Sequence, residues 1–294
     1  MKFKQRFGEV EITDTEARLI KRFPVIRNVF TLLKPDSTVQ DIHLEYPLQV
    51  TSRWGFGQLP NPYLLNLIDA NSWLYETQLQ KSQQYLTNFE NFTWRNGWFD
   101  GIDVIMLYTM VRETKPKRFI EVGSGITTLI ARQAITDGQL NTKILTIDPF
   151  PERVPQGVAD TFIKDRAENM KHDFWNSIGE DDILFVDNSH YCLQNSDVTV
   201  MFTEVLPAIQ SGTLIHFHDI FLPYDYPPEF HYRMFSEQYP LAAWLLGGEK
   251  FSVELPDMFI SLHETLSNYF EPFTQRYQPK GFEPCGASFW IRKK

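Results

Sequence analysis

Cysteine, long apolar runs and excess basic charge are all scarce in this chain, and each shortage excludes something. Only Cys192 and Cys285 occur, far apart and without C-x-x-C spacing, so neither a disulfide scaffold nor a cysteine-based zinc site is indicated. No apolar stretch approaches the roughly 18 residues that a membrane span requires. The opening M-K-F-K-Q-R-F-G-E-V-E lacks the apolar core of a secretory signal, which makes the cytoplasm the expected compartment and leaves a membrane partner unexpected. With 28 Lys and Arg against 37 Asp and Glu, the formal net charge is −9. Nucleic acid is therefore not an expected partner, because phosphate-backbone binding needs clustered Lys and Arg to displace counterions. Internal repeats and low-complexity tracts are missing too, which removes solenoids and disordered tails.

What is present is the composition of a globular protein, 43% hydrophobic and 22% charged residues over 294 positions, enough for one large domain or for a domain with an extension. Residues 1–95 are rich in aromatic and amide side chains and broken by Pro35, Pro47, Pro60 and Pro62. They read as an N-terminal extension packed as a cap on a core spanning 96–294. Within the extension, Tyr46 to Pro62 is too broken by glycine and proline for a long element and reads as an ordered loop. Asn71 to Phe89 has Trp73, Leu74, Leu79, Tyr85, Leu86 and Phe89 spaced for one buried helical face. Arg53, Trp54 and Trp98 read first as packing residues, since buried aromatics usually supply contact area. A second amphipathic helix is expected over Gly101 to Glu113.

The core is organised around K-R-F-I-E-V-G-S-G-I-T-T, Lys117 to Thr128. An apolar run ends at two glycines and passes into helical spacing through Leu129, Ile130, Ala134 and Ile135, the pattern of strand, tight turn and helix. Glycine allows backbone angles and close approach that a Cβ forbids, and the helix N-terminus turns free N–H groups toward whatever the turn admits. Further strands are expected within Lys143 to Pro149, at Thr161 to Ile163, at Asp182 to Asp187 and at Gly212 to Asp219, with helices between, among them Asp197 to Ile209. Helical spacing around Pro240 to Leu246 and strands at Phe251 to Leu255 and Ser288 to Arg292 complete the tail. This alternation predicts a doubly wound α/β fold: a mostly parallel, seven-stranded Rossmann-like sheet with right-handed crossovers.

In such a sheet the ligand lies outside the carboxyl ends of the strands, near the point where strand order reverses. Those ends carry Glu121 beside the glycines, then Asp148, then Asp187, then His218-Asp219. A single carboxylate there could cap the next helix, but a carboxylate after the second strand is placed to accept two ribose hydroxyls. A nucleoside-containing cofactor follows. The dinucleotide fingerprint asks for a small third residue where Thr128 stands, and Glu121 would repel a pyrophosphate, so the turn suits a cofactor without phosphates.

The segments E-V-G-S-G, I-D-P, L-F-V-D-N-S-H and H-F-H-D-I resemble the class I S-adenosylmethionine-dependent methyltransferases, and among them the methyltransferase-24 type of bacterial small-molecule and sugar O-methyltransferases. The resemblance covers residues 117 to 219. It implies S-adenosylmethionine as cofactor, with Glu121, Gly123, Ser124 and Gly125 along its methionine portion, Asp148 on the ribose, Asp165, Arg166 and Ala167 flanking the adenine, and Asp187 facing the transferred methyl. A small-molecule or sugar hydroxyl is the implied acceptor, and a homo-oligomer is compatible.

Methyl transfer from a sulfonium needs an in-line nucleophile, and a hydroxyl gains from a base. Asp187, His190, His218 and Asp219 are the candidate catalytic residues. His190, in a D-N-S-H turn, is the first choice for base, against the alternative of a surface turn histidine. His216 and His218 share a strand face; Asp187, His218 and Asp219 could hold a divalent metal that orients a diol, as relatives do with carboxylates, while His216 reads as a hydrogen-bonded core residue. The Tyr-, His- and Arg-rich segment Phe221 to Arg233 reads either as a wall of the acceptor pocket or as a rigid connection. Two rivals stand beside the methyltransferase: a nicotinamide-dependent oxidoreductase, which Thr128 and Glu121 argue against, and a non-catalytic binding module on the same fold.

Overall fold

A computed structural model describes residues 4–7, 10–13, 46, 48–150, 154 and 157–294. The chain forms two compact units, Met1–Gln49 and Val50–Lys294. In the first, strands Lys4–Phe7 (β1) and Val10–Thr13 (β2) pair antiparallel, Lys4 opposite Thr13. Pro35 and Pro47, two of the breaks read from the sequence, lie outside the described residues.

The second unit opens with an irregular stretch to Asn61, as the glycines and prolines there predict. Helix Pro62–Asp69 (α1) then starts on Asn61, whose side chain accepts hydrogen bonds from Tyr63 N and Leu64 N, with proline in the first turn where its missing N–H costs nothing. Helix Ser72–Ser82 (α2) follows, ending in a 3₁₀ turn, Gln83–Tyr85. Of the face expected, Leu79, Tyr85 and Phe89 are buried and Leu74 and Leu86 pack against the core, and Trp73 departs from it. Tyr75 and Leu79 are wholly buried while Trp73 is 68% exposed, because the stripe runs through Tyr75, Leu79 and Ser82 at helical spacing. Trp98 is likewise 66% exposed.

Helix Gly101–Thr114 (α3) is not amphipathic: every residue from Gly101 to Val111 is buried. The layer that covers it is aromatic, with Tyr85 and Phe89 rings each 5.2 Å from Tyr108 and Trp94 packed on Phe282 at 5.0 Å. Residues 50–95 therefore share one hydrophobic core with the sheet. The compact units divide after Gln49 and not at residue 95.

The remaining elements alternate. Arg118–Val122 (β3) leads into Ile126–Asp137 (α4), and Lys143–Ile147 (β4) and Thr161–Ile163 (β5) follow. After His172–Asn176 (α5) comes Asp182–Val186 (β6). The helix expected over 197–209 is broken into Asp197–Val200 (α6), a π turn at Met201–Val205, and Leu206–Ala208 (α7). Pro207 has no N–H for the carbonyl four residues back, and a π turn is one way a helix accommodates such a gap. Leu214–Phe217 (β7), Gln238–Gly247 (α8), Phe251–Pro256 (β8), Asp257–Leu262 (α9), Glu271–Tyr277 (α10) and Phe289–Lys293 (β9) complete the unit.

The seven strands stand in the order β5-β4-β3-β6-β7-β9-β8. All pairs are parallel except those of β9, which runs antiparallel between β7 and β8. Winding proceeds outward from β3 in one direction and from β6 in the other, so the reversal lies between those two strands. Phe119, Ile120, Ile183, Leu184, Phe185, Val186, Leu214, Ile215 and Phe217 are at most 1% exposed, as a sheet covered on both faces demands. Lys293 Nζ, on β9, donates to the carbonyls of Leu206, Pro207 and Ile209 and so closes the end of α7.

Phe185 sits at the middle of this core, its ring stacked 3.8 Å from His216. Phe185→Ala is expected to lower the unfolding free energy by about 3–5 kcal/mol through lost burial and the cavity left behind, read from urea denaturation.

Candidate active site

The turn after β3 is held by one glycine and left open by the other. Gly123 has φ +87°, and a Cβ on it would lie 2.0 Å from the carbonyl oxygen of Asp187. Asp187 N donates to Val122 O at 2.9 Å, which draws the ends of β3 and β6 together at the reversal. Gly125, at φ 171°, is ordinary extended backbone, and nothing lies within 4 Å of where its Cβ would be. The first glycine is required by the protein; the second leaves room for something else.

Glu121, expected along the cofactor, is instead completely buried. Thr127 Oγ1 donates to its Oε1 at 2.5 Å and Thr128 Oγ1 to its Oε2 at 2.6 Å, while Thr128 Oγ1 accepts from Gly125 N. The carboxyl pins the first turn of α4 from inside. Burial, partly offset by the two threonine hydroxyls, pushes its pKa up to about 8.

Asp148 stands at the end of β4, half-buried. Its Oδ2 accepts from Ser124 Oγ at 2.5 Å and its Oδ1 from Phe150 N at 2.7 Å, so a residue of the turn and the carboxylate after the second strand face one another. Beyond β5, Asp165 and Arg166 are exposed and Ala167 is buried. Asp165 Oδ1 accepts from Arg166 N and Asn169 Nδ2 and thereby shapes the 3₁₀ turn Ala167–Asn169.

At the ends of β6 and β7, Asp187, His190, His218 and Asp219 converge. His190 Nε2 lies 3.4 Å from Asp187 Oδ1 and 3.6 Å from Asp219 Oδ2; His218 Nδ1 lies 3.5 Å from Asp187 Oδ1 and 3.8 Å from Asp219 Oδ1. Their far nitrogens are also faced by carboxylates. Glu237 Oε2 is 2.9 Å from His190 Nδ1, and Asp103 Oδ2 is 3.5 Å from His218 Nε2. His190 and Asp219 both hold left-handed backbone, φ +63° and +53°, a conformation that non-glycine residues keep only where their surroundings fix them.

Carboxylates on both sides of an imidazole favour the doubly protonated ring. Burial works against this at His190, but the hydrogen bonds to Asp187 and Glu237 and their charges outweigh it and push the pKa up to about 10. At His218 burial is likewise overcome, here by the charges of Asp219 and Asp187 and the contact with Asp103, so its pKa stands well above the usual range. Against its own burial, Asp187 is held well below the usual carboxylate range by the two imidazoliums.

Two readings change. His190 is neither a surface turn residue nor a neutral base at pH 7: it is 6% exposed and cationic. A divalent metal at Asp187, His218 and Asp219 finds no support either. Among the described residues no group of three or more His, Cys, Asp or Glu is arranged to hold a metal ion. His216 is the core residue it was read to be, neutral through burial, with Nε2 2.8 Å from Ser288 Oγ.

Sequence reasoning missed Asp103, Glu237 and Asp257. Asp103 is the one carboxylate in the buried run of α3, a signal that was there to find; it accepts from Ala287 N and Ser288 N and so docks the start of β9. Asp257, fully buried beside it, is kept protonated by burial and by the negative charge of Asp103. Glu237 precedes α8 with nothing in the local sequence to mark it.

The segment after Asp219 walls the cluster. Phe221, Leu222, Asp225 and Tyr226 are buried, and Asp225 gathers Arg53 N, Tyr226 N, Gln238 Nε2 and Tyr239 Oη. Ser52 Oγ donates to Tyr226 O, Asp225 N to Trp54 O and Asn61 N to Pro223 O. The stretch from Ser52 to Asn61 is thus laced to this wall through its backbone, while the Arg53 side chain stays exposed. A separate cavity of about 350 Å³ lies between residues 87–93 and the side of α4 that carries Ile126, Leu129, Ile130 and Gln133. None of the strand-end carboxylates lines it.

Residues 120–220 match the model of a family described as a methyltransferase domain, of the methyltransferase-24 type. That segment is a class I methyltransferase domain. The match begins inside β3 and ends just past Asp219, and so includes the turn, Asp148 and the histidine–aspartate cluster. No curated protein matches the sequence. Among solved structures, the chain is similar to the Podospora anserina methyltransferase PaMTH1 bound to SAH (17% identity, 75% of this chain and 88% of that one, TM-score 0.40). It is similar also to the O-methyltransferase TomG of Streptomyces achromogenes in complex with SAM (12%, 79% and 98%, 0.41). A third, the O-methyltransferase of Bacillus cereus in complex with SAH, gives 11%, 79% and 100%, and 0.36. Likeness at this level does not bear on what this methyltransferase domain methylates.

The two glycines are expected to separate in their effects. Gly123→Ala should cost about 3 kcal/mol or more, given its clash and its backbone angle, whereas Gly125→Ala should melt as the parent does yet bind S-adenosylhomocysteine more weakly in calorimetry.

For Glu121 the folded state holds a proton up to a pH of about 8 while its ordinary pKa is 4.5. The unfolded chain releases that proton earlier, so the residue's contribution to stability declines as pH rises across that window. Glu121→Gln is expected to flatten the fall of melting temperature between those two pH values relative to the parent protein; parallel curves would refute the assignment.

Proposed function

We propose that this methyltransferase transfers the methyl group of S-adenosylmethionine to a hydroxyl of a small molecule or sugar. The observation that carries the reading is the meeting, at one topological reversal, of an open glycine turn, a ribose-competent carboxylate and a buried histidine–carboxylate cluster. S-adenosylmethionine, when bound, supplies a methyl group made electrophilic by a sulfonium. The rest falls to the chain's own residues.

Asp148 offers its two oxygens to the ribose hydroxyls, with Ser124 Oγ as the hydrogen bond that gives way, since that donor sits on Oδ2 in the protein alone. Gly125 leaves the open side of the turn for the methionine portion, and Asp165, Arg166 and Ala167 stand where the base ends. Glu121 acts behind the turn by fixing Thr127 and Thr128, not by touching the cofactor.

The acceptor hydroxyl is held by Asp187 and Asp219, whose oxygens face the cluster's centre. An oxygen that is gaining a C–O bond becomes strongly acidic, so the proton leaves late and an ionised carboxylate is base enough to receive it. His190 and His218 keep Asp187 ionised and hold both carboxylates in place, and Glu237 and Asp103 keep the imidazoles charged. The C–O bond forms, the C–S bond breaks, and the hydroxyl proton ends on a carboxylate of the cluster.

Calorimetric titration with S-adenosylhomocysteine tests the cofactor half. Saturable binding is expected, reduced about tenfold or more in Asp148→Ala through loss of two hydrogen bonds to a charged acceptor. Folded protein that binds none at millimolar ligand would sink the reading, and an unchanged affinity in the variant would remove the ribose assignment. Binding without turnover over a broad acceptor panel would favour a non-catalytic module on the same fold.

A further inference from the structure

The cluster accounts for a hydroxyl, but the wall beside it holds a cation with nothing to neutralise it. Arg233 closes the 3₁₀ segment Pro228–Arg233. Its guanidinium carbon lies 4.8 Å from the centroid of Phe230, 5.8 Å from Tyr232 and 5.3 Å from Phe235. Three rings therefore crowd around the group. Cation–π contact of this kind leaves the edge N–H donors of a guanidinium unused.

Several other arginines of the unit are ion-paired, Arg95 with Glu283, Arg118 with Asp182, Arg132 with Asp160 and Arg276 with Glu90, and Arg112, which like Arg233 lies over aromatic rings, donates to Tyr108 Oη. Among the described residues Arg233 has neither an ion-pair partner nor a side-chain hydrogen bond; only its carbonyl is engaged, by Tyr191 Oη at 2.8 Å. In a chain whose net charge is −9, a half-buried guanidinium without a carboxylate is not a by-product of excess base.

Its place ties it to the chemistry. Phe235, one of the three rings on Arg233, also packs 4.5 Å from the His190 ring. Tyr191 meets Phe235 edge to face at 5.5 Å. One aromatic ring thus separates the cation from His190, the residue that lies 3.4 Å from Asp187.

Resting on the hydroxyl-methylation reading above, we propose that Arg233 is the anion-recognising element of the acceptor site. The acceptor is then a planar hydroxylated molecule bearing a carboxylate or phosphate about one ring width from the hydroxyl that is methylated. The guanidinium edge suits such a group because its parallel N–H bonds match two anionic oxygens. Specificity follows from the same feature, since a neutral analogue leaves the cation unmatched.

The probe pair is 3,4-dihydroxybenzoate against catechol, which share the ring and hydroxyls and differ in the carboxylate. Both are titrated by calorimetry into the full chain saturated with S-adenosylhomocysteine. The acid is expected to bind about tenfold tighter, as a charge-assisted pair implies. Arg233→Met should bring the two affinities together, with the affinity for S-adenosylhomocysteine unchanged, and Arg233→Lys should keep a reduced preference. If Arg233→Met does not fold, the Arg233→Lys comparison decides. Equal binding of both probes by the parent protein, binding of neither, or a preference undiminished in the substituted proteins would overturn the proposal. Failure to bind S-adenosylhomocysteine at all would instead strike the cofactor reading on which it rests.

Discussion

The contact between Gly123 and the carbonyl of Asp187 is what the rest of the site depends on. Two parallel strands that wind away from each other would leave their ends splayed, but a residue without a Cβ lets the turn after β3 sit directly against the end of β6. That approach sets the distance between the turn and the cluster. The open face of Gly125, the carboxylate of Asp148 and the histidines all take their positions from it.

Charge organises the second layer. Six buried or half-buried acids, Asp103, Asp187, Asp219, Glu237, Asp257 and Glu121, lie near only two cations, His190 and His218. Such a group survives burial because its members are not in the same state. Glu121 and Asp257 are driven toward their neutral forms by desolvation, while Asp187 keeps its charge by sharing two imidazoliums. The division is the usual one for a polar site in a low-dielectric surround, where neutralisation or pairing are the available escapes. It also explains why the most basic side chains in the cluster are poor bases at neutral pH.

Much of this was readable in the sequence, and the exceptions have physical causes. Four of the five parallel strands announced themselves as apolar runs ending in carboxylates, the short Thr161–Ile163 carried a weaker signal, and the turn was legible from two glycines. Where Glu121 points was not, because a period-two pattern says which residues share a face but not which face a helix will cover. Trp73 was assigned to the buried face for a similar reason: Tyr75 is spaced equally well with Leu79, and packing chose it over Trp73. Asp103 and Glu237 are far in sequence from the histidines they hold, 115 and 47 residues by the chain. Only the folded sheet brings them near, so no local motif could record them. The cationic state of His190 is a sum over groups from three segments, which is why a D-N-S-H turn suggested a base.

The position of β9 has a consequence for how this unit assembles. Because that strand lies between β7 and β8, the sheet cannot grow outward in the order of synthesis. Strand β8 has no neighbour but β9, so it must wait, unpaired, while the residues of α9 and α10 are made. When Phe289–Lys293 arrives it supplies both edges at once, and Lys293 at the same time closes the carbonyls of α7. During translation the finished parallel half would therefore stand with an open edge at β7, the kind of surface that chaperones and aggregates both recognise. The last strand of the sheet doubles as its seal.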